Sequence, residues 1–175
     1  SEGEVHAYGC FEIPWREPRP RPLGQAAEEL RALLASSVRL RRIADVPLGV
    51  FLSGGLDSAV VTALLAEHAD GPVRTFSIGF EDAGALDERA FARTVAAHFG
   101  TDHHEHVVSA VGIAHHLPRL IDHLREPVTD PALIPTWILS RFARPDVTVA
   151  LPGVGGDELF AGYRRYVYQH RYRWL

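Results

Sequence analysis

The 175-residue sequence predicts an α/β domain, a mostly parallel sheet with helices on both faces. Three observations predict it. Short apolar runs of strand length alternate along the chain with longer segments of helical periodicity. One such run, Leu48 to Leu52, leads through Gly54 and Gly55 into an apolar helix. Another, Val147 to Leu151, leads into Gly153, Gly155 and Gly156 in the same way. In sheets of this kind ligands collect at the carboxyl ends of the strands.

Composition sets the outer bounds. With 46% apolar and 23% charged residues the chain is ordinary for one globular domain with a core of its own. A net charge of −4 argues against a nucleic-acid or membrane-surface partner. No apolar run approaches the roughly 20 residues of a membrane span, and no signal peptide is visible. One cysteine, Cys10, excludes an internal disulfide framework and fits a reducing compartment such as the cytoplasm. All 18 basic residues are arginine, and methionine is absent, so the chain reads as a piece of a longer protein.

Taken in order, Ser1 to Gly24, with Pro14, Pro18, Pro20 and Pro22, reads as an irregular linker. Gln25 to Arg42 is a helix with Leu30, Leu33, Leu34 and Val38 on one face. Leu48 to Leu52 is the first strand, and its helix runs to about His68. Val73 to Phe80 is the second strand. Asp87 caps a helix whose Phe91, Val95 and Phe99 share a face, and Gly100 ends it. His103 to Val108 is the third strand. Ala110 to Leu124 is a helix with Ile113, Leu117, Leu120, Ile121 and Leu124 inward and Pro118 placed to bend it. Asp130 and Pro131 cap a helix to about Arg144, and Val147 to Leu151 is the fourth strand.

The chemistry concentrates in Ser53-Gly54-Gly55-Leu56-Asp57-Ser58. Without a Cβ the glycines let the backbone turn sharply and approach a ligand. Loop amides and the following helix N-terminus favour an anion, and two hydroxyls add donors. A carboxylate beside an anion makes sense when a divalent cation lies between them. The pattern therefore suggests a metal-bound di- or triphosphate. The plainer alternative is a glycine turn with a capping aspartate. A second loop, Pro152-Gly153-Val154-Gly155-Gly156-Asp157-Glu158, repeats the logic, and Asp57 and Asp157 together could share one magnesium.

These residues resemble the pyrophosphate-binding loop of the N-type ATP pyrophosphatases. With Thr75 to Phe80, Gly100 to Glu105, Glu126 to Pro131, Ile134-Pro135 and Gly155 to Tyr166, the chain resembles the synthetase domain of glutamine-hydrolysing asparagine synthetases, from about Gln25 to Tyr166. The resemblance implies an adenine nucleotide alpha hydrolase-like, Rossmann-like fold. It makes residues 1–24 a linker from a glutaminase domain, and residues 25–175 the N-terminal part of the synthetase domain. It implies ATP and Mg2+ as cofactors, with aspartate and ammonia as the other small-molecule partners. By the same likeness Ser53, Gly54, Gly55, Asp57 and Ser58 hold the β and γ phosphates. Phe51 and Ile78 meet the adenine and ribose, Leu52 belongs to the same ATP-binding set, and Pro152 and Gly153 lie near the ribose and α phosphate. Glu126, Asp130, Gly156 and Asp157 lie near the amino-acid substrate, and Asp57 and Asp157 bind magnesium and are the catalytic pair. The implied reaction makes asparagine, AMP and pyrophosphate.

Two positions depart from the family pattern. Pro152 stands where a serine is usual, and Val154 where an acidic residue is usual. Valine takes no proton and pairs with no ammonium. A different acyl acceptor, or a nucleotide-binding or partner-docking module without catalysis, therefore stays open, as does homodimer formation. The family's catalytic lysine and its glutaminase nucleophile have no counterpart here, and the piece alone is expected to be nearly inactive. His103, His104, His106, His115, His116 and His123 read as solvent-facing or strand-end residues rather than a zinc site. The Arg/aromatic stretch from Tyr163 to Trp174 reads as a helix face rather than a nucleic-acid stacking surface.

Overall fold

A computed structural model of the chain describes residues 20–81, 84, 87–126 and 128–172. The linker reading of residues 1–19, Cys10 and Pro127 lie outside them. The elements run α1 (Leu23–Arg41), β1 (Leu48–Phe51), α2 (Leu56–Ala66), β2 (Arg74–Phe80), α3 (Arg89–Phe99), β3 (Asp102–Val108), α4 (Ala110–Leu124), α5 (Leu133–Ala143), β4 (Val149–Leu151), α6 (Gly156–Phe160) and α7 (Arg164–Arg171). The first helix thus starts two residues before Gln25. All four strands are parallel, in the order β3-β2-β1-β4.

The alternation of side chains along the strands explains the two layers. Val50 is fully buried with Val38, Leu64, Leu65 and Val73, and Leu52 with Ala92 and Ala96, so α1, α2 and α3 cover one face. Phe76 points the other way, among Leu139, Ala143 and Val147, with Phe51, Ile78 and Phe142 beside it, so α5 covers the opposite face. Helices on both faces are what a parallel sheet requires. Four polar residues, Ser58, Thr62, Thr75 and Ser77, are also buried, each with a partner. Thr62 Oγ1 donates to the Ser58 carbonyl (2.8 Å), Ser77 Oγ donates to the Leu52 carbonyl, and Thr75 Oγ1 meets His103 Nδ1 (2.8 Å).

Three helix faces differ from the sequence expectation. In α3 the buried residues are Ala92 and Ala96, while Phe91 is 67% exposed. The reason is close approach: α3 packs against the backbone at Gly54, and only small side chains fit at that distance. In α1 the inner face is Leu34, Ala35 and Val38, and Leu30 and Leu33 face outward. In α4, Leu120 is buried, whereas Leu117 and Ile121 are exposed; the helix runs through Pro118. No helix among the described residues is long and apolar enough to cross a membrane.

Candidate functional site

The carboxyl ends of β1, β2 and β4 open into one cleft of about 840 Å³. β1 supplies its floor, because it lies between β2 and β4. Phe51, Leu52, Ser53, Gly55, Asp57 and Ser58 line it from β1 and the loop that follows. Ile78 comes from β2, and Pro152, Gly153, Gly156 and Asp157 from the loop after β4. Eleven of the fourteen sequence-predicted site residues thus meet in one cavity. Glu126 and Asp130 do not line it. Asp130 Oδ1 accepts the Ala132 amide (2.9 Å), which fixes the turn into α5. Gly54 lies behind the loop, its α-carbon turned to α3.

The first loop is held in shape by its own hydroxyls. Ser58 Oγ donates to the Gly55 carbonyl (3.1 Å), accepts the Ser53 amide (3.2 Å) and lies 3.0 Å from Ser53 Oγ. Ser53 Oγ in turn accepts the Gly55 amide (3.2 Å). Ser58 is therefore committed to the turn, and it is buried. Gly54 has φ +88°, and a methyl group there would stand 2.7 Å from the Glu88 carbonyl oxygen. Only glycine satisfies both demands.

The second loop closes directly on the first. A Cβ on Gly153 would lie 2.7 Å from the Ser58 amide nitrogen, and one on Gly156 would lie 2.2 Å from the Asp57 carboxylate. Gly162 folds back so that its α-carbon packs on the Asp157 carboxylate, and its amide donates to the Asp157 carbonyl (3.0 Å). Neither aspartate caps its helix: the N-cap positions of α2 and α6 are Gly55 and Gly155, with no side-chain cap bond. Among the described residues no hydrogen bond or ion pair reaches either carboxylate.

The lining residues include five carboxylates, those of Asp57, Asp87, Glu88, Asp157 and Glu158, and no arginine or histidine. Asp87 is held by Arg89 through Nε (2.9 Å) and Nη2 (2.6 Å), which lowers its pKa to about 2. Tyr163 Oη donates to Glu158 Oε1 (2.7 Å); this bond, aided by backbone bonds and the Arg165 charge, lowers the Glu158 pKa, and the same bond raises that of Tyr163 against the Arg165 charge. Asp57, Glu88 and Asp157 keep free, hard oxygen donors among the described residues, and the pair on the two facing loops is Asp57 and Asp157. That donor set suits a magnesium ion shared with substrate phosphates, since Mg2+ takes one or two carboxylates and completes its shell elsewhere. No group of three or more metal-ligating side chains exists among the described residues.

Sequence reasoning missed Asp87, Glu88, Thr136 and Tyr163 as lining residues. Asp87 and Glu88 sit there because β2 lies beside β1, and strand order was the unread signal. His104 and His106 are placed differently from the expectation, whereas His115 and His123 are exposed. His104 stacks on Phe76 at 5.3 Å, and His106 on Phe142 at 4.9 Å. Both are half-buried among aromatic rings rather than solvent-facing.

A family model described as asparagine synthase matches residues 29–175. Asparagine synthetase [glutamine-hydrolyzing] 1 of Bacillus subtilis is 39% identical over 139 residues, 79% of this chain and 22% of that protein. A putative asparagine synthetase [glutamine-hydrolyzing] 2 of Methanocaldococcus jannaschii is 37% identical over 169 residues, 96% of this chain and 32% of that protein. The chain thus spans between a fifth and a third of the length of these relatives. The solved NH3-dependent NAD synthetase from Campylobacter jejuni superposes with a TM-score of 0.47 at 18% identity, over 82% of this chain and 61% of that one. With nearly all of its described length matched by the family model, the chain belongs to the asparagine synthase family.

Proposed function

We propose that this chain forms the ATP-binding part of a ligase that adenylates a carboxylate and passes the acyl group to ammonia. The observation that carries the reading is the closure of the two glycine loops on each other, which brings Asp57 against Gly156, the residue before Asp157. Two strand ends, from β1 and β4, thereby present amides and carboxylates to one point.

In the proposed reaction an oxygen of the substrate carboxylate attacks the α phosphorus. The bond from that phosphorus to the bridging oxygen breaks, and pyrophosphate leaves. Ammonia then attacks the acyl carbon, AMP leaves, and an amide remains. Amides of the Ser53–Ser58 loop receive the β and γ phosphates. Asp57 and Asp157 would hold a magnesium ion, whose charge would offset the negative charge that develops on pyrophosphate. Phe51, Leu52 and Ile78 bound the nucleoside end of the cleft, and Pro152 and Gly153 the α phosphate. The substrate the family name suggests is aspartate, with ammonia from glutamine hydrolysed in a glutaminase domain of the full-length protein. The single cysteine suits a cytoplasmic setting.

Val154 favours a second reading of the acceptor. It lines the cleft and is 85% exposed, so the position offers an apolar surface rather than a base. An acceptor or carboxylate other than the aspartate and ammonia pair fits that surface. Titration of the chain with ATP, with and without magnesium, tests the core proposal. Magnesium-dependent binding that Asp57→Ala abolishes is expected; binding unchanged by that substitution overturns it. Pyrophosphate release by the full-length protein across a panel of carboxylates separates the two acceptor readings.

A further inference from the structure

We propose that Arg165 is the cation that meets the terminal phosphates of ATP in this cleft. The inference rests on the ATP reading above and deepens it.

The electrostatics of the cleft pose the problem. Its described lining holds five carboxylates and no cationic side chain. A triphosphate adds further negative charge. One magnesium ion at Asp57 and Asp157 offsets only part of that sum. A protein cation within reach of the phosphates lowers the remaining repulsion.

Arg165 is placed for the role. Its guanidinium lies 4.3 Å from the centroid of the Tyr163 ring and 5.3 Å from that of Tyr166. Tyr163 is itself a lining residue of the cleft, and its hydroxyl is fixed on Glu158, the neighbour of Asp157. Gly162 also packs on the Asp157 carboxylate, so the stretch after Asp157 folds back on the second loop, and Arg165 is one stacking contact away from the lining residue Tyr163. Stacking on two rings restrains the side chain without occupying its N–H donors. Six other arginines, including Arg89 and Arg93, pair with carboxylates, whereas Arg165 has no ion pair among the described residues. A guanidinium fork left free in this way matches two phosphate oxygens. Its neighbour Arg164 stacks on no ring among the described residues, which makes it the natural control.

The test measures binding of ATP, inorganic pyrophosphate and AMP, all with magnesium, to the wild-type chain, Arg165→Gln, Arg165→Lys and Arg164→Gln. Arg165→Gln is expected to weaken ATP and pyrophosphate about tenfold and to leave AMP unchanged. Arg165→Lys recovers part of the loss, and Arg164→Gln matches the wild type. Equal pyrophosphate affinity in Arg165→Gln and wild type overturns the assignment and leaves the ATP reading intact. A parallel loss of AMP binding also overturns it, because Arg165 then supports the loop rather than the phosphates. A wild-type chain that binds neither ATP nor pyrophosphate removes both proposals together.

Discussion

The carboxylate of Asp57 rests against the α-carbon of Gly156, so closely that a methyl group there would lie 2.2 Å from it. The two residues stand on different loops, 99 positions apart in the chain, and their contact closes the two loops on each other. Because the obstructed atoms are the end of a short side chain, Asp57 can swing aside. Gly156→Ala is therefore expected to fold, with an unfolding temperature within a few degrees of wild type. Its magnesium-dependent ATP affinity is expected to fall at least about tenfold, as one ligand is pushed out of place. Calorimetric titration beside a thermal melt reads both quantities; a large drop in melting temperature would show that the contact supports the fold instead.

Gly54 meets backbone rather than side chain. A Cβ there would stand 2.7 Å from the Glu88 carbonyl oxygen and 2.9 Å from the Ala92 amide nitrogen, at φ +88°. Neither neighbour can give way without moving α3. Gly54→Ala is expected to cost about 3 kcal/mol in chemical denaturation. Gly71→Ala, where nothing lies within 4 Å, is the comparison and should change stability by less than about 0.5 kcal/mol.

The Asp87–Arg89 pair gives an acid signature. The side-chain and backbone hydrogen bonds from Arg89 lower the Asp87 pKa from 3.8 to about 2. A depressed folded-state value adds stability above the unfolded value, and that stability is lost as pH falls through the folded one. The stability difference between wild type and Asp87→Asn is thus expected to be constant above pH 4 and to shrink between about pH 4 and 2. Denaturant curves across that range check it. A difference that does not vary with pH would mean that the pair carries no net interaction.

His103 points to a second pH window. Burial lowers its pKa from 6.5, although Glu105 at 3.3 Å acts in the opposite direction. Neutral imidazole is the form that the fold prefers, so stability declines as pH falls below 6.5. His103→Gln is expected to flatten this decline while leaving the acid window of Asp87 untouched. The same decline in both proteins would assign it to another group.

The strand–glycine–helix units were legible because each is local: an apolar run, a turn that needs glycine and a helix start lie next to one another. The contact of Asp57 with Gly156 was legible only as two similar loops, since their closure depends on β4 pairing beside β1. Helix faces were the least legible. Phe91, Val95 and Phe99 share a stripe, yet Ala92 and Ala96 are buried, because the distance between layers is set by Gly54 on the facing loop. Cleft residues Asp87 and Glu88 escaped for a related reason. They carry no motif of their own, and only the sheet order brings the end of β2 to the site.

The strand that carries the second loop has three residues and, among the described residues, pairs on one side only. Such an edge opens at a lower free energy than the central strand, and its amides exchange with solvent sooner. Half of the cleft therefore hangs on a segment that frays while the other half stays ordered. A ligand that bridges Asp57 and Asp157 binds only the closed edge. Its occupancy will thus appear in hydrogen–deuterium exchange as slowed amides at Ala150 and Leu151, with little change at Val50, and the protection will scale with ligand concentration.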